Sequence, residues 1–262
     1  MTTILRGKVF RMRTHACLLF ILLTLSACGK KGPLIYPDML VPAAPSDVSA
    51  QQSGNNVRLA FTLPTKDRAG RPHADVAGVR IVKRDSLSGQ DPGCTACTSD
   101  FSQFKKWFTD IPGDVQTFGK RVVLLDGAVL GGRSYTYKVT AFTKDDLDGA
   151  VSVPVTANVV QPPLPPVLRA VNQPTEITLE FTGLPLEGTF MGYSLYRAVK
   201  GEQFSYLPHV GSLLKENHFT DMGLERGVVY VYAARTVVKL SSGTLVESGL
   251  SNEVEGKLKD DE

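Results

Sequence analysis

The sequence predicts an all-β chain in which two similar β-sandwiches follow one another. Three observations lead there. First, two stretches repeat at a fixed offset: Leu125-Asp126 through Tyr135-Thr-Tyr137-Lys-Val139-Thr-Ala141 aligns with Thr220-Asp221 through Tyr230-Val-Tyr232-Ala-Ala234. Upstream, Val57–Pro64 resembles Ile177–Pro185, and Gly78–Arg84 resembles Gly192–Arg197. Second, each of these is a short alternation of apolar and polar residues bounded by Gly, Pro, Asn or Asp, the mark of a half-buried strand. Third, no stretch after the first 27 residues keeps a helical period for more than about three turns.

Taken in order, Met1–Arg13 carries Arg6, Lys8, Arg11 and Arg13 and no acid. Ala16–Leu25 is apolar apart from Cys17 and Thr24, and at about ten residues it is too short to span a bilayer as a helix. The small-residue step Ser26-Ala27 then leads into Cys28. This pattern resembles a bacterial lipobox. The resemblance implies that residues 1–27 are a removed lipoprotein signal peptide and that Cys28 becomes the first residue, carrying diacylglycerol and an N-acyl group. Two or more acyl chains hold a protein stably where one is marginal. Gly29 stands where aspartate marks inner-membrane retention in enteric bacteria, so the resemblance implies the outer membrane, with the body in the periplasm or at the cell surface.

The anchor changes the charge argument. The chain is formally +3, but the segment before Cys28 supplies four positive charges and no negative one, leaving −1 on the remainder. A near-neutral body gives nucleic acid no electrostatic footing as a partner. The remaining residues suffice for two domains of ordinary size.

Cys28-Gly-Lys-Lys-Gly-Pro-Leu-Ile-Tyr-Pro37 resembles the amino terminus of a family of very short outer-membrane lipoproteins, with Ile35 in place of the first aromatic. One member of that family assists assembly of the lipopolysaccharide translocon. The resemblance marks Lys31, Gly32, Pro33 and Leu34 as candidate contacts to such a partner; the other reading of the motif is a generic tether. Residues 28–44 form the lipidated terminus and a Pro-rich linker, because Pro42 and Pro45 bias their neighbours toward extended backbone.

The first sandwich is expected over 45–160 and the second over 167–258. Pro162-Pro163-Leu164-Pro165-Pro166, within the hinge 161–166, favours a stiff polyproline conformation. Lys259–Glu262 reads as a charged, frayed tail. Both units resemble immunoglobulin-like fibronectin type III domains. Leu224-Glu-Arg-Gly227-Val-Val-Tyr230 fits the pattern leading into strand F, and Ser248–Val254 looks like the last strand. The resemblance implies tyrosine corners at Tyr135 and Tyr230, in which a buried ring hydrogen-bonds its hydroxyl to nearby backbone. Phe61 and Phe181 stand where the family has its strand-B tryptophan.

The units differ in one interval. Arg84 to Asp126 is longer than Arg197 to Asp221, which places an insertion near 85–125. Phe101, Phe104 and Phe108 fall at i, i+3 and i+7, predicting one face of a short helix that Asp100 and Gln103 would cap. That face either folds over a sandwich edge, as aromatic spacing favours, or exposes a partner-binding patch anchored by Trp107.

Cys94 and Cys97 are the remaining free pair, since Cys17 leaves with the signal. Outside the cytoplasm, two cysteines this close favour a local disulfide. A redox-active dithiol is the alternative, but thioredoxin-like chemistry belongs to a βαβ setting that this chain lacks. Thr98 stands where haem attachment would need histidine. His73, His209 and His218 show no paired spacing, so no metal or other cofactor is expected. Asp145-Asp-Leu-Asp148-Gly149 lacks calcium-loop spacing, and Asp148-Gly149 predicts a hairpin turn. No phosphate cradle, nucleophile elbow or metalloprotease motif occurs. The expected function is therefore non-catalytic: a binding or scaffolding module of the envelope. The alternatives are a surface adhesion or carbohydrate-binding accessory, and a periplasmic thiol oxidoreductase using Cys94 and Cys97.

Overall fold

The structure is a computed structural model that describes residues 36–72, 75–87, 101–111, 113–183, 185 and 187–260. The signal segment, Cys28, the motif residues Lys31, Gly32, Pro33 and Leu34, and the pair Cys94 and Cys97 lie outside the described residues. Among the described residues a 3₁₀ turn, Pro37–Met39, precedes sixteen strands. Nine belong to the first half: β1 (Ser46–Ser53), β2 (Asn56–Thr62), β3 (Gly78–Leu87), β4 (Ser102–Phe108), β5 (Gln116–Phe118), β6 (Arg121–Asp126), β7 (Arg133–Phe142), β8 (Asp148–Val151) and β9 (Val155–Val159). Seven belong to the second: β10 (Val167–Asn172), β11 (Glu176–Thr182), β12 (Thr189–Val199), β13 (His218–Met222), β14 (Tyr230–Lys239), β15 (Leu245–Glu247) and β16 (Val254–Gly256).

In the first half, β1–β2–β6–β5 face β4–β3–β7, with β8 and β9 both paired to β7. In the second, β10–β11–β13 face β12–β14, with β15 and β16 both paired to β14. Alternation decides which side of each strand is inside. Val57, Leu59 and Phe61 of β2 point into one core with Val79, Ile81, Val122, Leu124, Tyr137 and Val139. Ile177, Leu179 and Phe181 of β11 do the same for the second core, against Leu195, Tyr232 and Ala234. Each core buries its apolar side chains on folding, at roughly 25 cal/mol per Å² of apolar surface.

The 95-residue repeat has a chemical basis. Asp126, at the end of β6, is buried and accepts a hydrogen bond from Tyr137 (2.7 Å) and an ion pair from Lys83 (2.8 Å). Asp221 in β13 accepts from Tyr232 (2.8 Å) and from Arg197 (2.9 Å). The same three groups thus recur: a carboxylate, a phenol and a cation. A buried carboxylate without both partners would be costly, so the three are retained together.

The insertion forms a strand where a short helix was expected. β4 pairs antiparallel with β3, and the register slips between Ile81 and Val82, leaving Phe104 as the extra residue of a bulge. Bulges break strict alternation. Phe104 and Trp107, three apart, therefore both reach the core, while Phe104 and Phe108, two of the three phenylalanines spaced as on a helix, fall on opposite sides of the strand. Trp107 is 5% exposed and packs inside, so it cannot serve as an exposed anchor. Phe108 lies on the outer face with its ring against Phe142 (5.4 Å between centroids), and Phe101 sits beneath the Lys138 ammonium (4.2 Å).

Two further expectations are corrected. The β7–β8 turn occupies residues 143–147, with Asp146 at positive φ, while Asp148 and Gly149 open the strand after it. Ser248–Val254 is not a continuous strand: β15 and β16 are separated, and Ser248 and Ser251 donate backbone bonds to Thr236 and Ala234 while their hydroxyls accept from the same residues. Ser152 treats Val139 identically between β8 and β9. In each case a serine side chain stands in for a missing ladder carbonyl.

Candidate functional site between the sandwiches

The two halves are joined along a face. β15 pairs with β14 of its own sheet and also, in parallel, with β1 of the first sandwich, where Ser53 stands opposite Glu247. One sheet therefore runs β12–β14–β15–β1–β2–β6–β5 through both halves. The outward side of β2 explains the contact: Val57, Leu59 and Phe61 fill the core, so Arg58 and Ala60 point away from it, yet both are buried.

Arg58 meets Glu247 in a two-point ion pair, Nη2 to Oε1 at 2.7 Å and Nη1 to Oε2 at 3.0 Å. The Ser53 hydroxyl donates to the same carboxylate at 2.7 Å, and Gly54 N–H donates to the Glu247 carbonyl at 3.0 Å. Arg58 also donates to the Tyr196 hydroxyl (3.2 Å), the Tyr206 carbonyl (3.4 Å) and Gln51 Oε1 (3.3 Å). Burial, the largest single effect, works against the Arg58 charge, but the Glu247 carboxylate and the Tyr196 hydroxyl together outweigh it and hold the guanidinium above its ordinary pKa. Burial also pushes the Tyr196 hydroxyl up, keeping it neutral. With its carboxylate satisfied by fixed donors, Glu247 is placed as a clamp.

Gln116 extends the seam. Its amide donates to the Phe204 carbonyl (3.0 Å) and accepts from Tyr206 N–H (2.6 Å). Gln52 fastens the chain leaving the first sandwich, donating to the Val160 carbonyl (2.7 Å) and accepting from Val160 N–H (2.9 Å). Next to these contacts opens a cleft of ≈ 640 Å³, lined among others by Leu125, Tyr196, Phe204, Tyr206, Lys200 and Glu253. Among the described residues no group of three or more His, Cys, Asp or Glu could hold a metal ion.

None of the seam residues was singled out by the sequence. Arg58 sits in a strand whose partners are local, and nothing in its spacing points to Glu247. The residues chosen from sequence go elsewhere. The Tyr135 hydroxyl accepts from Leu130 N–H (2.9 Å), and the Tyr230 hydroxyl from Glu225 N–H (3.1 Å), each five residues upstream. Phe101, Phe104, Trp107 and Phe108 cluster on β3 and β7, away from the seam. His209 and His218 are not brought together as ligands, and among the described residues the carboxylate paired with His209 is Asp221, at 4.0 Å.

In each half three strands (β1, β2, β6 and β10, β11, β13) face a sheet built on β3–β7 or β12–β14. The tyrosine near the start of β7 or β14 is tied back to backbone five residues upstream, and this arrangement decides the type of both halves. Both are fibronectin type III-like sandwiches. No protein-family model matches the chain, and no curated protein matches it. Among solved structures, it is similar to the FN1–FN3 domains of chicken CNTN1, at 16% identity, over 84% of this chain and 68% of that chain, with a TM-score of 0.32.

Proposed function

We propose that this chain is a non-catalytic, lipid-anchored envelope protein whose two type III-like sandwiches act as one rigid scaffold for a protein partner of outer-membrane assembly. The carrying observation is the buried Arg58–Glu247 pair. Two modules fixed at one angle present a composite surface without paying ordering entropy at each encounter, the condition under which a modest contact area still binds. The seam cleft, with aromatic and charged walls, is the concave part of that surface. The lipobox resemblance at Cys28 supports attachment to the outer membrane, and the Gly29–Pro37 motif supports a partner in lipopolysaccharide transport.

Cross-linking in intact cells, followed by identification of what co-purifies, tests the reading. Recovery of translocon components with wild type, and their loss with Cys28→Ser or Glu247→Arg, is the expected result. Removal of the body by protease added outside intact cells, with only unrelated proteins recovered, contradicts it and favours surface adhesion.

A further inference from the structure

The segment that would tether the body to lipid is not a free spacer along its whole length. Residues 37–43 are strapped to one end of the first sandwich. Ala69 N–H donates to the Met39 carbonyl (3.2 Å), Arg68 N–H to Val41 (3.0 Å) and Ala43 N–H to Lys66 (2.9 Å). On the other side Ala150 N–H donates to the Pro42 carbonyl (2.9 Å). The fit is close: a Cβ on Gly149 would lie 2.4 Å from that carbonyl and 3.0 Å from the Ala141 carbonyl. From Pro37 onward the chain therefore enters the first sandwich at a defined end.

That end carries exposed apolar side chains. Leu147, in the β7–β8 turn, is 55% exposed. Ile111, 62% exposed, follows β4 at the level where Thr109 N–H and Ala77 N–H link β4, β3 and β7. Leu40, 43% exposed, belongs to the strap itself. Exposed charges at this end are mixed, with Lys66, Arg68, Arg71 and Lys144 set among Asp38, Asp110, Asp145, Asp146 and Asp148, the last two paired with Arg80. With no excess of positive charge at this end, its apolar tips suit shallow insertion between headgroups rather than electrostatic capture.

The geometry points to a membrane-contact surface: we propose that this end of the first sandwich, through Leu40, Ile111 and Leu147, rests in the headgroup region of the phospholipid bilayer. The proposal rests on acylation of Cys28. Cys28 precedes Tyr36 by eight residues, and no chain of that length spans more than about 29 Å at the extended limit of about 3.6 Å per residue. The strap adds no slack, because residues 37–43 are already hydrogen-bonded to the body. The end bearing the strap is thus the part of the body whose distance from the lipid the tether limits most tightly.

The test uses the full acylated chain in phosphatidylcholine vesicles with brominated acyl chains, comparing Leu147→Trp with Met222→Trp. Met222 lies on β13 of the second sandwich and is 67% exposed, so both substitutions are tolerated by the fold. Trp107 contributes the same background to both. Expected are bromine quenching and a blue shift for the tryptophan at 147, neither occurring at 222. Equal quenching at the two positions, or none at 147 in a sample whose Cys28 carries fatty acid by mass spectrometry, overturns the proposal while leaving the anchor intact. A mass showing Cys28 without fatty acid overturns the anchor and the proposal with it.

Discussion

Arg58 and Glu247, 189 residues apart in sequence, form a two-point ion pair in which both side chains are nearly closed to solvent. Breaking one partner of such a pair strands a buried charge, at a cost of about 3–5 kcal/mol. Glu247→Ala is therefore expected to uncouple the sandwiches, so that a single urea transition splits into two. The double replacement Arg58→Met with Glu247→Leu removes both charges and is expected to recover most of the loss. A single Glu247→Ala transition at the wild-type midpoint would show that the pair contributes nothing to docking.

The repeated carboxylate sites predict a matched pair of effects. Tyr137→Phe and Tyr232→Phe each delete a hydrogen bond to a buried carboxylate, worth about 1.5–3 kcal/mol. Burial, reinforced by the adjacent aspartate, pushes both phenols well above the ordinary tyrosine value, so each remains a donor at any ordinary pH. Tyr135→Phe and Tyr230→Phe delete bonds from neutral backbone donors, worth about 0.5–1.5 kcal/mol. Equilibrium unfolding should rank the first pair above the second in both sandwiches.

Trp107 and Phe108 are neighbours with opposite placements. Trp107→Ala opens a cavity in the first core and should cost about 3–5 kcal/mol. Phe108→Ala removes an edge contact with Phe142 and should cost about 0.5–1.5 kcal/mol. Equal costs would mean that β4 does not hold the register seen here.

His209 supplies a pH dependence. Burial, then the Arg197 charge, push its pKa below the ordinary 6.5, against a pull upward from Asp221. The unfolded chain therefore takes up the proton first. The contribution is complete above the ordinary histidine value and is lost as pH falls from there toward the folded value. Denaturation of wild type and His209→Gln should diverge below pH 6.5 and run parallel above it. A constant difference at every pH would exclude this role.

The strands were legible because alternation is local: Val57-x-Leu59-x-Phe61 and Ile177-x-Leu179-x-Phe181 declare their inward faces without reference to the rest of the chain. The Tyr135 and Tyr230 geometry was legible for the same reason, since each hydroxyl reaches backbone only five residues away. The i, i+3, i+7 spacing of Phe101, Phe104 and Phe108 matches a helical face by composition alone: Phe101 precedes β4, Phe104 is its bulge, and Phe108 lies on its outer side. The seam was invisible for a different reason. Four prolines between the halves imply a spacer, whereas the docking depends on an arginine and a glutamate that look like ordinary surface residues. Their burial follows only from how the outer face of β2 meets β15, and no local pattern encodes that.

The rigidity of the tandem is tested most directly by residual dipolar couplings measured for backbone amides of both sandwiches in one sample. A single alignment tensor fitting the amides of β2, β3 and β7 together with those of β11, β12 and β14 is the expected result. Two tensors of different orientation or magnitude would mean that the halves move independently and that the Arg58–Glu247 clamp does not hold in solution.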